Sequence, residues 1–288
     1  MADGHAASLQ TLDDPTLNHL TMAQQNDSAT QTPPQAQGSD NKRIMFFTLG
    51  MTTVVALVLG VLFFGLKPIH QQNEAISAKR AILAAISDYL PEPIYDLTDD
   101  GVQEVFDTSV EQYAITPTGE IVEGQIAENI DLSIEYKKPE MDRLYPLYVY
   151  TDAAGEKYYV LSVRGNGLWD EIWGNVALKG DLATIAGVSF DHKGETPGLG
   201  AEIKDNAKFQ EQFKDKTIFG YNGTYSSVIV RKGGAQNDAY EVDGISGATV
   251  TANGVSEMLN RGIKYYLPYI ERVQAEEGID PAAIGMAF

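Results

Sequence analysis

The densest set of potentially reactive side chains lies in "DGISGATVTANGV", Asp243–Val255. Two glycines, Gly244 and Gly247, and the small Ala248 alternate with three hydroxyl residues, Ser246, Thr249 and Thr251, just ahead of a helical periodicity. A helix start leaves backbone N–H groups without partners and carries partial positive charge, so it attracts anions. Small residues let an anion reach the backbone, and the hydroxyls add donors, so the stretch reads as a phosphate seat. A plain Thr-capped helix after a tight glycine turn is the competing reading. The stretch is neither a Gly-Lys-Thr phosphate loop nor a G-x-G-x-x-G dinucleotide turn.

Other chemistry is scarce. The chain has no cysteine, which excludes disulfides, a thiol nucleophile and Cys-ligated zinc or iron–sulfur centres. Its four histidines, His5, His19, His70 and His192, form no close pair, so no metal site is predicted. A net charge of −19 argues against a nucleic-acid partner. Two further segments are rich in glycine with interspersed polar and apolar residues: "GNGLWDEIWG", Gly165–Gly174, and "GETPGLGAEI", Gly194–Ile203. Pro197 and the neighbouring glycines fix a tight loop. Trp173 is expected in the core, and Asp243 is read as a turn residue, as an orienting group for its own loop, or as a group that assists Mg and the donor of a group attached there.

The elements that must position these residues are legible in outline. Residues 1–41 are polar and are read as a disordered leader. Residues 42–67 contain the uncharged run Ile44–Leu66, which as a helix would span about 34 Å, enough to cross a bilayer. Lysines and arginines flank that run on both sides, so charge does not set its orientation. Residues 68–140 read as a membrane-proximal α/β segment, opening with an amphipathic helix over Glu74–Tyr89 that Pro91 and Pro93 end. Residues 141–274 read as the main domain. There "LYPLYVYTD" and "KYYVLSVRG" form a hairpin joined by "AAGE", and "TIAGVSFDHK" and "YSSVIVRK" are further strands. Val255, Met258, Leu259, Gly262, Ile263, Tyr266, Leu267 and Ile270 make the apolar stripe of one helix that starts near Thr251, with Pro268 bending or fraying its last turn. Residues 275–288 are a tail. Strands and helices mix without a βαβ repeat, so the predicted class is α+β.

"SGATVT", Ser246–Thr251, resembles the S/T-G-A-T-x-S/T signature of the FMN-binding domain of redox-driven membrane pumps, and the two glycine-rich segments resemble that family's flavin-contact segments. The resemblance implies FMN joined through its phosphate to Thr249. A separate Mg-dependent flavin transferase would use FAD as donor, and Ser246, Gly247, Ala248 and Thr251 would shape the seat. It further implies that Glu195 and Thr196 meet the polar edge or ribityl chain of the flavin. Leu199 would cover a ring face, Gly198 would belong to the same cofactor-binding loop, and Leu168 and Trp169 would pack nearby. "YPLYVYTDAAGE" and the long stretch Lys79–Glu140 resemble the NqrC branch of that family, which belongs to Na+-translocating NADH:quinone oxidoreductases. That branch implies an electron relay from NADH toward ubiquinone coupled to Na+ export. It also implies the other subunits of that complex as partners, and a single-pass inner-membrane protein with a cytoplasmic N-terminus and a periplasmic flavin domain. The chain carries no nicotinamide-binding pattern and no complete active site of its own. The alternatives are an RnfG-type component of an ion-translocating ferredoxin:NAD oxidoreductase and, from a different class, a flavin-free membrane-anchored assembly module.

Overall fold

The computed structural model describes residues 37–285. The leader predicted over 1–41 therefore lies almost entirely outside the described residues. Helix α1 runs Gln37–Ala84. It is the one helix among the described residues long and apolar enough to cross a membrane, and the apolar side chains of Ile44–Leu66 are solvent-facing. Pro68 lies inside α1, so the amphipathic stretch expected from Glu74 is part of this same helix. That stretch ends at Ala84, followed by a 3-10 turn at Ser87–Tyr89, ahead of the prolines.

The chain divides into two units, residues 1–63 and 64–288. The second is built on a five-stranded antiparallel sheet whose spatial order is its chain order: β1 (Val110–Ile115), β2 (Tyr145–Thr151), β3 (Lys157–Asn166), β4 (Glu171–Leu178) and β5 (Ile185–His192). Short loops join β2 through β5. The hairpin predicted across "AAGE" is present, with Leu147 opposite Leu161 and Thr151 opposite Lys157. Beyond the sheet come helices α2 (Asp99–Ser109), α3 (Leu132–Glu135), α4 (Glu202–Asp205) and α5 (Ala207–Glu211). A parallel pair follows, β6 (Ile229–Arg231) with β7 (Glu241–Asp243), and then α6 (Thr249–Lys264), α7 (Leu267–Glu277) and α8 (Pro281–Gly285). Mixed helix and antiparallel sheet is the predicted α+β class.

Both faces of the sheet are covered, which is why its strands read as nearly continuous aromatic and β-branched runs. Successive side chains point to opposite faces. Tyr145, Leu147 and Val149 join the core under α6, with Val255, Met258, Leu259 and Ile263. Tyr148 and Tyr150 join the other core, which includes Ile82, Leu83 and Ile86 and, from α2, Val102 and Phe106.

Helix α6 lies directly on β3. A Cβ at Gly254 would stand 2.2 Å from the Asn166 carbonyl oxygen, so only glycine permits this approach. The apolar stripe reads on past α6 but the helix does not. It stops at Lys264, and Pro268 sits in the first turn of α7, where its missing N–H is harmless. Pro268 thus opens a second helix and does not fray the first. Between them, the buried Tyr266 hydroxyl lies 2.9 Å from the carbonyls of both Pro146 and Ser162, tying the junction to β2 and β3.

Candidate functional site

Helix α6 starts at Thr249, two residues earlier than the periodicity suggested. Its N-cap is Ala248, with no side-chain cap hydrogen bond. Thr251, the residue best placed by type to cap, is instead buried in the first turn, and its hydroxyl donates to Glu195 Oε2 at 2.6 Å. The plain Thr-capped reading is therefore not what forms. The first N–H groups of α6 have no side-chain oxygen over them, as an anion seat requires. The Thr249 side chain is half-buried and Ser246 is exposed. Both border a cleft of about 450 Å³ whose other walls include Lys232, Gly233, Asp243 and Asn253.

Glu195 holds the site together. It is buried, 5% exposed, at the start of the "ETPGLG" loop. Its Oε1 accepts the Trp169 backbone N–H at 2.9 Å, and its Oε2 takes the Thr251 hydroxyl. One carboxylate thus joins the β3–β4 hairpin tip, the loop after β5 and the first turn of α6. These are the three stretches singled out in the sequence, far apart in the chain. A second tie runs from Trp169 Nε1 to Thr196 Oγ1 at 3.0 Å. Both Glu195 oxygens already have protein donors, so its geometry is that of a positioning residue.

Around this buried hub the apolar groups face outward. Leu168 is 51%, Trp169 69% and Leu199 40% exposed. Gly247 adjoins them: a Cβ there would meet Leu199 Cδ2 at 2.6 Å, and its φ of +80° suits glycine. Leu199 can lie over this loop because residue 247 has no side chain. Gly198, also in the left-handed region, turns the chain so that Leu199 points outward. The result is an apolar platform beside an uncapped helix start and a half-buried hydroxyl. That donor set fits a ligand with a flat aromatic head and a phosphate tail. Trp173, expected in the core, is only half-buried on β4, with the Arg164 guanidinium 5.6 Å from its ring centroid.

Sequence reasoning missed three contributors. Val250 is 52% exposed on the first turn of α6 and extends the apolar surface. Asn253 lies one turn on, and the Lys232–Gly234 loop forms the far wall of the cleft. That loop is braced twice. Asp243 Oδ1 accepts the Ala235 N–H at 2.7 Å, which ties this loop to the end of β7. Glu241, 3% exposed, pairs with Arg231 and accepts the Gln236 and Asn237 N–H groups at 2.7 and 3.1 Å. The Arg231 guanidinium, helped by those N–H groups, holds the Glu241 carboxyl at about 2. The "RKGG" run and the acidic residue ten positions on were the available signal.

The FMN-binding domain family model matches residues 167–264, from the hairpin tip through the end of α6, so its limits enclose the segments gathered by Glu195. The NqrC component of the Na(+)-translocating NADH-quinone reductase of Pseudomonas aeruginosa is 31% identical over 237 residues, covering 74% of this chain and 89% of that protein. The chain belongs to the NqrC family of Na+-translocating NADH-quinone reductases. The Vibrio anguillarum NqrC is 27% identical, with 81% and 95% covered. The crystal structure of NqrC from Parabacteroides distasonis superposes with a TM-score of 0.63 at 32% identity, over 71% of this chain and 96% of that one. The Shewanella oneidensis NqrC structure, at 24% identity and a TM-score of 0.61, agrees in fold. Membership in the NqrC family selects between the two membrane-pump branches that the sequence left open, against the RnfG-type reading.

Proposed function

We propose that this chain carries FMN esterified to Thr249 and relays electrons within a Na+-translocating NADH:quinone reductase, from NADH toward ubiquinone, coupled to Na+ export. The observation that carries the reading is the uncapped start of α6, with a half-buried Thr249 hydroxyl, placed by Glu195 beside the Leu168, Trp169 and Leu199 platform. FMN, when bound, supplies reversible electron transfer, and the protein sets its position and surroundings. Backbone N–H groups at the start of α6 would hold the phosphate, with Ser246 as an added donor. Leu199 would cover a ring face, with Leu168 and Trp169 beside it. Thr196 offers a polar contact at the rim, and Glu195 fixes the loop that carries them. Thr249 would supply the acceptor hydroxyl on a separate Mg-dependent flavin transferase, with FAD as the FMN donor and AMP and a proton released. Residues 141–274 form the flavin-carrying region, 68–140 the membrane-proximal segment, and 42–67 the single pass through the inner membrane. The N-terminus is cytoplasmic and the flavin domain periplasmic.

The test is co-expression with the transferase, followed by flavin fluorescence in a denaturing gel and mass spectrometry of peptides. A fluorescent band with FMN on the Thr249 peptide is expected, and Thr249→Ala loses it. FMN on Ser246 or Thr251, or a fluorescent Thr249→Ala chain, sinks the assignment.

A further inference from the structure

A second cleft, of about 300 Å³, lies across β3 and the C-terminal half of α6. It gathers four cationic side chains, Lys137, Arg143, Arg164 and Arg261, with Glu171 as the one acidic group in its lining. In a chain of net charge −19 this concentration of cations is against the trend of the whole surface. Their pairing is incomplete. Arg164 pairs with Glu171, and Arg261 pairs with the exposed Glu257 at 3.3 Å and donates to the Arg164 carbonyl at 3.5 Å. Arg143 makes no ion pair among the described residues. It donates to the carbonyls of Lys138 and Tyr136 at 3.0 and 3.2 Å, and to the Tyr265 hydroxyl at 3.3 Å, which hold the guanidinium in place without neutralising it. A second, independent observation comes from Tyr136, which also lines the cleft. Its hydroxyl is buried, with the Arg164 backbone N–H nearby but no well-placed acceptor for its own proton, an arrangement that is uphill unless a partner arrives. Burial raises its pKa, so the hydroxyl stays protonated and is available as a donor.

We propose that this cleft binds a phosphate-type oxyanion, and that Tyr136, Arg143, Arg164 and Arg261 are its donors. The donors come from separate parts of the chain: the turn after α3, the segment before β2, β3 and α6. A planar carboxylate is satisfied by one guanidinium fork, whereas donors converging from several directions suit a tetrahedral group. The phosphate can be free in solution or part of a lipid headgroup, and the chemistry is shared. The proposal is independent of the flavin assignment, because the cleft is lined by different residues.

The test is calorimetric titration of the full chain in detergent at fixed ionic strength. One arm uses inorganic phosphate, a second uses succinate, and a third compares micelles doped with phosphatidylglycerol or phosphatidylcholine. Saturable binding of phosphate, or of phosphatidylglycerol but not phosphatidylcholine, is expected and names the source. Tyr136→Phe weakens it roughly tenfold, as loss of a hydrogen bond to a charged group should. The same substitution leaves thermal stability without phosphate unchanged or higher, since it deletes an unpartnered hydroxyl. Arg261→Gln weakens binding to a similar degree, and Thr249→Ala leaves it intact. Absence of binding in both the phosphate and lipid arms, equal binding of succinate, or affinity indifferent to Tyr136→Phe overturns the proposal.

Discussion

At the scale of single residues the hydroxyls of "SGATVT" have three different environments, which argues for three roles. Thr251 is buried and committed to Glu195, Ser246 is exposed in the loop, and Thr249 stands at the helix start on the edge of a cleft. Thr249→Ala should therefore change stability by no more than about 1 kcal/mol while losing covalent flavin, because no cap is deleted. Thr249→Ser should retain some attachment, read by gel fluorescence. Glu195 should behave in the opposite way. Glu195→Ala leaves the Thr251 hydroxyl and the Trp169 N–H without their acceptor, at about 1–3 kcal/mol for each buried group. Urea unfolding should show that loss, and Trp169 fluorescence should report a loosened hairpin tip. Glu195→Gln keeps an acceptor for Trp169 and can take the Thr251 oxygen as its own acceptor, so it should fall much closer to the parent. If Glu195→Ala unfolds like the parent, the carboxylate is not what joins the three segments.

At the scale of elements, α6 and its supports decide how well the site is held. Gly254→Ala would push a methyl against the Asn166 carbonyl and so separate α6 from β3. Overpacking of this kind costs about 1–3 kcal/mol, which a denaturant midpoint would register together with weaker flavin fluorescence quenching. The β6–β7 pair and the loop that walls the Thr249 cleft depend on Glu241. Its carboxyl is held below its ordinary value, so it contributes stability that is complete above about pH 4.5 and is lost as pH falls toward 2. Thermal melts between pH 7 and pH 3 should show this decline, and Glu241→Gln should flatten it. The elements of the flavin region were legible where one pattern ruled: the β2–β3 hairpin from its aromatic runs and turn, and α6 from its stripe. The split at Lys264 was not, because the stripe continues through Tyr266 and Ile270 while the helix breaks at Tyr265–Tyr266. The side-chain types around the cleft were legible, but the bonds between them were not. Only the fold brings Trp169 and Thr251 to the two oxygens of Glu195.

At the scale of the whole molecule the long apolar run predicts membrane residence. The full chain should resist a carbonate wash, and a chain starting at Lys67 should be soluble and still take up flavin, because the two buried cores begin at Ile82. Aggregation of the shortened chain together with release of the full chain by carbonate would contradict this. Topology rests on the family, since flanking charges are balanced. A cysteine placed at Asp100 should react with an impermeant maleimide in intact spheroplasts. The stretch 96–140 was the least legible part, with α2 and β1 indistinct in the sequence. β1 gains its meaning from pairing with β2, roughly thirty residues on, and no local pattern encodes such a partner.

The strict chain order of the sheet has a kinetic corollary. Strands β2 to β5 are linked by short loops, so their pairings close at low entropic cost and can assemble early. The Thr251–Glu195 bond instead spans 56 residues, and the ties from Tyr266 to Ser162 and Pro146 span 104 and 120. Docking of α6 is therefore expected to be a late event of folding, with Thr249 reaching its final setting only when the domain is otherwise complete. A modifying enzyme that reads that setting, and not the bare peptide, would act as an inspector of folding and leave misfolded copies unlabelled.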